Sequence, residues 1–266
     1  MKKLYLVPDR KDMDRMCRLG ETYDCAFEYN DFFMAGVLDD AGRQEELIRS
    51  YRRHRPDFGQ DTMHGAFLDV TIHSSDPLIR EASMLRVRQS MEIAQRMGLR
   101  GVVFHTGRIA GFRDPGYLEN WRCVNRDFFT ELADCYPKQQ IFMENMFDEA
   151  PDILAGLAEE MSGVENFGIC LDYAHAVISG CPGHIWIETL APYIHHIHIN
   201  DNDLKNDLHQ PVGSGALDWQ EFDSLVRKHG IDATVLVEVN GYDAQQQSLQ
   251  YMKKHGIYPM EKERER

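Results

Sequence analysis

The sequence predicts a single (β/α)8 barrel, and three observations predict it. Eight short apolar runs alternate with helical stretches along the chain. The length, 266 residues, is ordinary for one such barrel and long for most other single domains. Titratable residues collect at the carboxyl ends of the apolar runs, the end at which barrels build their sites.

The strands are read in order. KLYLVPD (3–9) comes first; the basic start MKKLYLVPDR has too short an apolar part for a signal peptide. CAFEYN (25–30) is second. The stretch after it, DFFMAGVLDDAGRQEE (31–46), reads as a loop, apolar and then acidic. Its Phe32, Phe33 and Met34 fit either a lid or a contact between subunits of a homo-oligomer. DTMHGAF (61–67) is third. A helix is expected over 76–98, with Asp76 as N-cap, Pro77 in the first turn and Gly98 at the end. GVVFHTG (101–107) and QIFMEN (140–145) follow, then a helix over 151–161. FGICLD (167–172), HHIHIND (195–201), a helix over 217–230 and TVLVEVN (234–240) complete the set. Crossovers of this length join parallel strands. No Pro/Gly/Ser linker interrupts residues 1–260, so one domain is expected there, with EKERER (261–266) as a charged, frayed tail.

Hydrophobic residues make up 43% and charged residues 27%, as in a globular chain with a large core. No apolar run approaches the roughly eighteen residues of a membrane span, so no membrane partner and a cytoplasmic location are expected. A net charge of −14 weighs against nucleic acid as partner without excluding it, because bound divalent cations would offset part of it. The six cysteines form no CxxC pair and read as buried, reduced thiols.

Side chains of a strand alternate between faces. Glu144 then shares a face with Phe142, Asp172 with Cys170, Glu238 with Leu236, and His105 with Val103. His196, His198 and Asn200 share one face, and Ile197 and Ile199 the other. The apolar faces pack on the helix ring. The others point into the barrel and turn polar only at the carboxyl end. A buried charge costs several kcal/mol unless paired or metal-bound. Alone, His64 or His105 reads as a hydrogen-bonded structural histidine, and Glu144 as an ion-paired core residue. Five strands delivering a carboxylate or imidazole to one rim point instead to a shared cation. His54, His73, His184, His195, His229 and His255 lie off this pattern and read as surface or packing residues.

HGAFLD (64–69), VVFHTG (102–107), ENMFD (144–148), CLDYAHA (170–176), HIHIND (196–201), DLHQPVGSGALDW (207–219) and VEVN (237–240) together resemble the xylose isomerase-like barrel superfamily. The group includes sugar isomerases, ketose 3-epimerases and the endonuclease IV type of apurinic-site nuclease. LDxxH, HxHxND and HxPxGxG, in this order, carry the likeness.

The resemblance implies two overlapping ligand sets. The epimerase pattern would hold one divalent ion with Glu144, Asp172, His198 and Glu238, the two glutamates doubling as acid/base pair and His175 touching substrate. The endonuclease pattern would place up to three zinc ions among His64, His105, Glu144, Asp172, His175, His198, Asp207, His209 and Glu238. Imidazole-rich ligation suits zinc and carboxylate-rich ligation suits manganese or magnesium; cobalt also stays open. Arg108 and Arg113 read either as a phosphate clamp or as partners of nearby carboxylates. Phe67 falls where the nucleases carry a DNA-wedging aromatic, and Val212–Gly215 offers either N–H groups to an oxyanion or a plain turn. The expected activity is a metal-dependent isomerase or epimerase of a sugar or sugar phosphate. A zinc phosphodiesterase acting on abasic DNA is the alternative from another reaction class, and a metal-bound barrel without turnover is the third.

Overall fold

The computed structural model describes residues 1–262. Its strands are β1 (Leu4–Leu6), β2 (Cys25–Tyr29), β3 (Thr62–His64), β4 (Gly101–His105), β5 (Gln140–Glu144), β6 (Phe167–Asp172), β7 (Ile194–Ile199) and β8 (Thr234–Val237). They pair in parallel in chain order and close through β1 and β8, with Leu4 beside Val235. Residues 263–266 of the expected tail lie outside the described residues, and Glu261 within it pairs with Arg227 at 3.2 Å.

The two faces divide as alternation requires. Ile141, Met143, Ile169, Leu171, Ile197, Ile199, Val235 and Val237 join the core shared with the helices. Inside the barrel, Tyr5, Val7, Ala26 and Leu236 form one small cluster, and Val103, Phe142 and Cys170 another. His196 sits edge-on to Tyr5 and stacked on Phe142, so the lower barrel is filled with side chains. The carboxylates and imidazoles at the strand ends sit above this filling, at the carboxyl end, while Glu28, Thr62, His196 and Thr234 are buried polar residues within the barrel.

The helix Pro77–Met97 follows its sequence signals closely. The Asp76 side chain accepts from the Leu78 N–H, and Gly98 closes the helix with φ 77°. Asp218 caps the helix Trp219–Lys228 by accepting from Gln220 and Glu221. The third expected helix spans Asp152–Glu160. The stretch read as a loop over 31–46 instead contains a turn of helix at Ala35–Leu38 and the start of the helix Ala41–Arg52. Asp40 caps the latter, and its buried face, Gln44, Leu47, Ile48 and Tyr51, runs partly beyond that stretch. Phe32 belongs to the core, which removes it from any lid or subunit contact, while Met34 is exposed. The thiol expectation also changes: all six cysteines are free, but only Cys25 and Cys170 are buried and Cys135 is exposed. Among the described residues no helix is long and apolar enough to cross a membrane.

Candidate metal centre

The strands end where the chemistry begins. His64, His105, Glu144 and Asp172 are the last residues of β3, β4, β5 and β6; His198 is next to last in β7, and Glu238 directly follows β8. In a closed parallel barrel these positions share one rim, so residues far apart in sequence meet. Glu144 Oε1 and Glu238 Oε2 lie 3.4 and 3.5 Å from His198 Nδ1. One donor atom from each of Glu144, Asp172, His198 and Glu238 falls within a 4.8 Å sphere of mutual separation.

Two further groups flank this one. His64 Nε2 and His105 Nε2 are 3.0 Å apart, each 3.3 Å from Glu144 Oε2. Asp207 Oδ2 stands 3.4 Å from His175 Nε2 and 3.2 Å from His209 Nε2. Two ligand atoms bound to one tetrahedral ion at about 2.0–2.1 Å lie roughly 3.3–3.4 Å apart. Donor atoms of all nine sequence-expected residues therefore converge, in three groups: Glu144 is shared by two of them and lies 3.7 Å from His175 of the third.

Local structure explains how each is held. Asn145 locks the ends of β5 and β6 together: its Nδ2 donates to the Asp172 carbonyl, and its Oδ1 accepts from the Asp172 N–H, both at 2.9 Å. Asp172 Oδ1 caps the next helical turn by accepting from the His175 N–H at 2.7 Å. Asp207 and His209 ride a loop after β7, pinched by paired backbone bonds between Asp201 and Gln210. His209 has φ 46°, left-handed backbone that the pinched loop imposes.

Asp201 is the anchor of that loop. Its carboxylate accepts from the N–H groups of Gly213 and Leu217 and from Trp219 Nε1, at 2.9, 3.1 and 2.8 Å. The Gly213 N–H of the Val212–Gly215 turn thus serves the chain's own carboxylate, which answers the oxyanion expectation in favour of a structural turn. Arg108 is likewise committed, to Asp148 at 2.8 Å and Glu149 at 3.5 Å, so it is a partner of carboxylates and no phosphate clamp. Arg113 is exposed; against burial, Glu149 is held low by the backbone N–H groups of its own residue and Gly111 and by Arg108, with Arg113 adding less. Phe67 packs against Phe33, His64 and His105, roofing one side of the well.

The electrostatics are those of a site built around positive charge. Burial opposes ionisation of Glu144, yet His198 and His105 hold it well below the usual carboxylate range. Glu238 is held low against burial by His198. Burial raises Asp172 to about 7, with Glu238 and Glu144 adding to the rise and His175 opposing it. Burial would lower His209, but Asp207 and Glu238 keep it at about 10. Glu144 Oε2, Asp172 Oδ2, His198 Nδ1 and Glu238 Oε2 are buried with no hydrogen-bond partner. Buried polar atoms without partners are costly. Asp172 Oδ2, His198 Nδ1 and Glu238 Oε2 belong to the four-residue group, whereas Glu144 Oε2 faces His64 and His105; both settings fit a divalent cation, which satisfies carboxylate and neutral imidazole together.

Sequence reasoning missed Glu28. It is fully buried on β2, with Oε1 3.1 Å from His198 Nε2 and Oε2 3.2 Å from His196 Nε2. Alternation was the available signal, since Glu28 shares the inward face of CAFEYN with Ala26.

Comparison with known proteins places this architecture. Residues 25–255 match the family model described as xylose isomerase-like TIM barrel. An uncharacterized protein of Methanocaldococcus jannaschii is 25% identical over 191 residues, which cover 66% of this chain and 63% of that one. A probable endonuclease 4 of Protochlamydia amoebophila is 30% identical over 111 residues, covering 36% of this chain and 38% of that one. The chain thus spans less than two thirds of the length of either of these curated relatives. Among solved structures, the TTHB071 protein from Thermus thermophilus, soaked with ZnCl2, superposes with TM-score 0.75 at 20% identity, over 96% of this chain and 98% of that one. A D-tagatose 3-epimerase-like protein gives TM-score 0.73, also at 20% identity, over 94% and 95%. At that identity the two structures share the fold with this chain. The family match spans most of the sequence, and the closed eight-stranded barrel agrees with it: this chain belongs to the xylose isomerase-like TIM barrel family.

Proposed function

We propose that this protein is a divalent-metal-dependent isomerase or epimerase of a sugar or sugar phosphate, with Glu144 and Glu238 as its acid/base pair. The observation that carries the reading is the placement of these two carboxylates. They come from non-adjacent strands and flank His198 Nδ1 at 3.4 and 3.5 Å. A divalent ion held by Glu144, Asp172, His198 and Glu238 would supply Lewis-acid activation of a carbonyl and acidify the neighbouring C–H. The rest falls to the chain's own groups. Glu238, with a side chain 12% exposed, faces the mouth, whereas Glu144 is 1% exposed. Glu238 takes the proton from the carbon beside the carbonyl, and Glu144, having first taken up a proton from solvent, returns one on the other side, so that a cycle ends with the two protonation states exchanged. Phe67 and Phe33 give the sugar an apolar wall, and His175 supplies a polar contact at the well's edge. Arg113 is the side chain proposed to meet a phosphate.

A second reading has its own observation. The groups His64–His105–Glu144 and His175–Asp207–His209 exceed what one ion needs. Filled, they would make a polynuclear hydrolytic site of the phosphodiesterase kind. Glu144 is common to the His64–His105–Glu144 group and the Glu144–Asp172–His198–Glu238 group, so the number of ions bound would separate the two readings. The test is solvent-deuterium incorporation into a panel of ketoses, beside cleavage of an abasic-site duplex, with metal content counted on the same preparation. One ion per chain with deuterium beside the carbonyl supports the isomerase. Three zinc ions with strand cleavage and no exchange would replace it by the nuclease, and neither reaction in metal-loaded protein would leave a binding barrel.

A further inference from the structure

Among the imidazoles of the centre, His198 is turned the opposite way. His64 Nδ1 lies 3.0 Å from the Gly65 carbonyl, His175 Nδ1 3.0 Å from the Asn145 carbonyl, and His209 Nδ1 2.9 Å from the Glu238 carbonyl. A backbone carbonyl only accepts, so each of these rings carries its proton on Nδ1 and turns Nε2 toward the centre. His198 instead presents Nδ1 to Glu144 and Glu238, and its Nε2 points down into the barrel, 3.1 Å from Glu28 Oε1. The partner of this one ring is a carboxylate, from a strand that contributes no ligand.

Glu28 is itself fixed from below. Thr62 Oγ1 donates to its Oε2 at 2.7 Å, and His196 Nε2 lies 3.2 Å from the same oxygen. His196 Nδ1 meets the Thr234 hydroxyl at 2.6 Å. One self-consistent proton assignment follows. The Thr234 hydroxyl, 3.4 Å from the His195 carbonyl but only 2.6 Å from His196 Nδ1, donates to the nearer nitrogen, His196 Nε2–H faces Glu28 Oε2, and the remaining oxygen, Oε1, is left for His198 Nε2–H. Glu28 Oε1 has no hydrogen-bond partner of its own, and the Nε2–Oε1 pair is close but off line. Carboxylates behind metal-bound imidazoles fix ring orientation and tautomer and raise ligand basicity.

We infer that Glu28 is a positioning residue: from beneath the barrel mouth it holds His198 with its proton on Nε2, so that Nδ1 is the ligand atom. The inference rests on the reading of Glu144, Asp172, His198 and Glu238 as metal ligands. Glu28 touches neither ion nor substrate and acts only through His198. Glu28→Gln keeps the shape but replaces one acceptor oxygen by an N–H2 group, which must face Thr62 and His196 or His198.

The test uses Zn2+ itself as the probe, titrated against a competing chelator. Wild-type protein that binds no Zn2+ would sink the metal-centre reading and this inference with it. If wild type binds, Glu28→Gln is expected to bind about 10–100-fold more weakly, with the same number of ions per chain and the same metal-free melting temperature. Unchanged affinity, or lower metal-free stability at unchanged affinity, makes Glu28 a packing residue and overturns the inference while leaving the metal centre intact. Should Glu28→Gln not fold, 15N NMR of the imidazoles in Zn2+-loaded wild type decides. The expected pattern is His198 metal-bound through Nδ1 and protonated on Nε2. Metal bound through Nε2, or a zinc–sulfur distance of about 2.3 Å by X-ray absorption, would overturn it by placing the ion lower, with Cys170 and His196.

Discussion

Glu238 is the residue on which the proposed chemistry turns. Its Oε2 lies 3.5 Å from His198 Nδ1, and its side chain is more exposed than that of Glu144. Glu238→Gln keeps the shape and removes the charge, so turnover should fall by at least about 100-fold, the usual scale of acid/base catalysis, with the far-UV circular dichroism unchanged. Normal turnover in that variant would take Glu238 out of the mechanism. A second residue-scale prediction concerns His73, which lies away from the ligands and meets the Tyr117 hydroxyl at 2.9 Å. Burial, aided by the charge of Arg108, pushes its imidazole down to about 4. A depressed histidine favours the neutral form in the fold, so its stabilisation is present above the unfolded value near 6.5 and is lost as pH falls toward 4. Melting temperature should decline over that window, and His73→Gln should flatten the decline; an equally steep profile would clear His73. At this scale the sequence was informative wherever alternation was followed: Glu144, Asp172, His198 and Glu238 lie where parity puts them. Glu28 was passed over because Phe27 and Tyr29, its outward neighbours, make the strand read as plain core.

At the scale of elements, the loop after β7 matters most, because it brings Asp207 and His209 to the rim. Its hold is the buried Asp201 carboxylate and the donors around it. Asp201→Ala leaves the Gly213 and Leu217 N–H groups and the Trp219 indole without their acceptor. At about 1–3 kcal/mol for each unsatisfied buried donor, the loss should reach about 3 kcal/mol or more, measurable by urea unfolding. A loss under about 1 kcal/mol would mean that solvent replaces the carboxylate. Gly213→Ala tests the same loop from the other side: φ is 84°, and an added Cβ would fall 2.2 Å from the Tyr251 ring. Helix ends were legible where a capping aspartate and a following glycine stood in sequence, as at Asp76 and Gly98. The helix Ala41–Arg52 was not, because its buried stripe begins inside a stretch whose Gly and Asp residues mimic a loop. Strand ends were read too long, since the run at 61–67 leaves the sheet after His64. Gly65 passes so close to the Phe104 ring there that a Cβ would sit 2.3 Å from it.

For the whole molecule, barrel closure turns separate strand ends into one charged ring. That topology was legible from the alternation of elements, because strand order and handedness leave few choices once eight β/α units are counted. The number of ions was not legible, since one set of side chains serves one ion or three. The net charge of −14 and the carboxylates gathered at the rim predict that divalent cations stabilise the fold. Free ion at a hundredfold excess over its Kd adds about 2.7 kcal/mol, a rise of roughly 5–10 °C in melting temperature for a domain this large. EDTA should reverse it. The claim beneath all of this is that the strand ends enclose a cation, and anomalous diffraction from crystals soaked in Zn2+ tests it most directly. The account predicts a peak within bonding distance of Glu144, Asp172, His198 and Glu238. Peaks confined to surface histidines, with nothing at the barrel mouth, would contradict it.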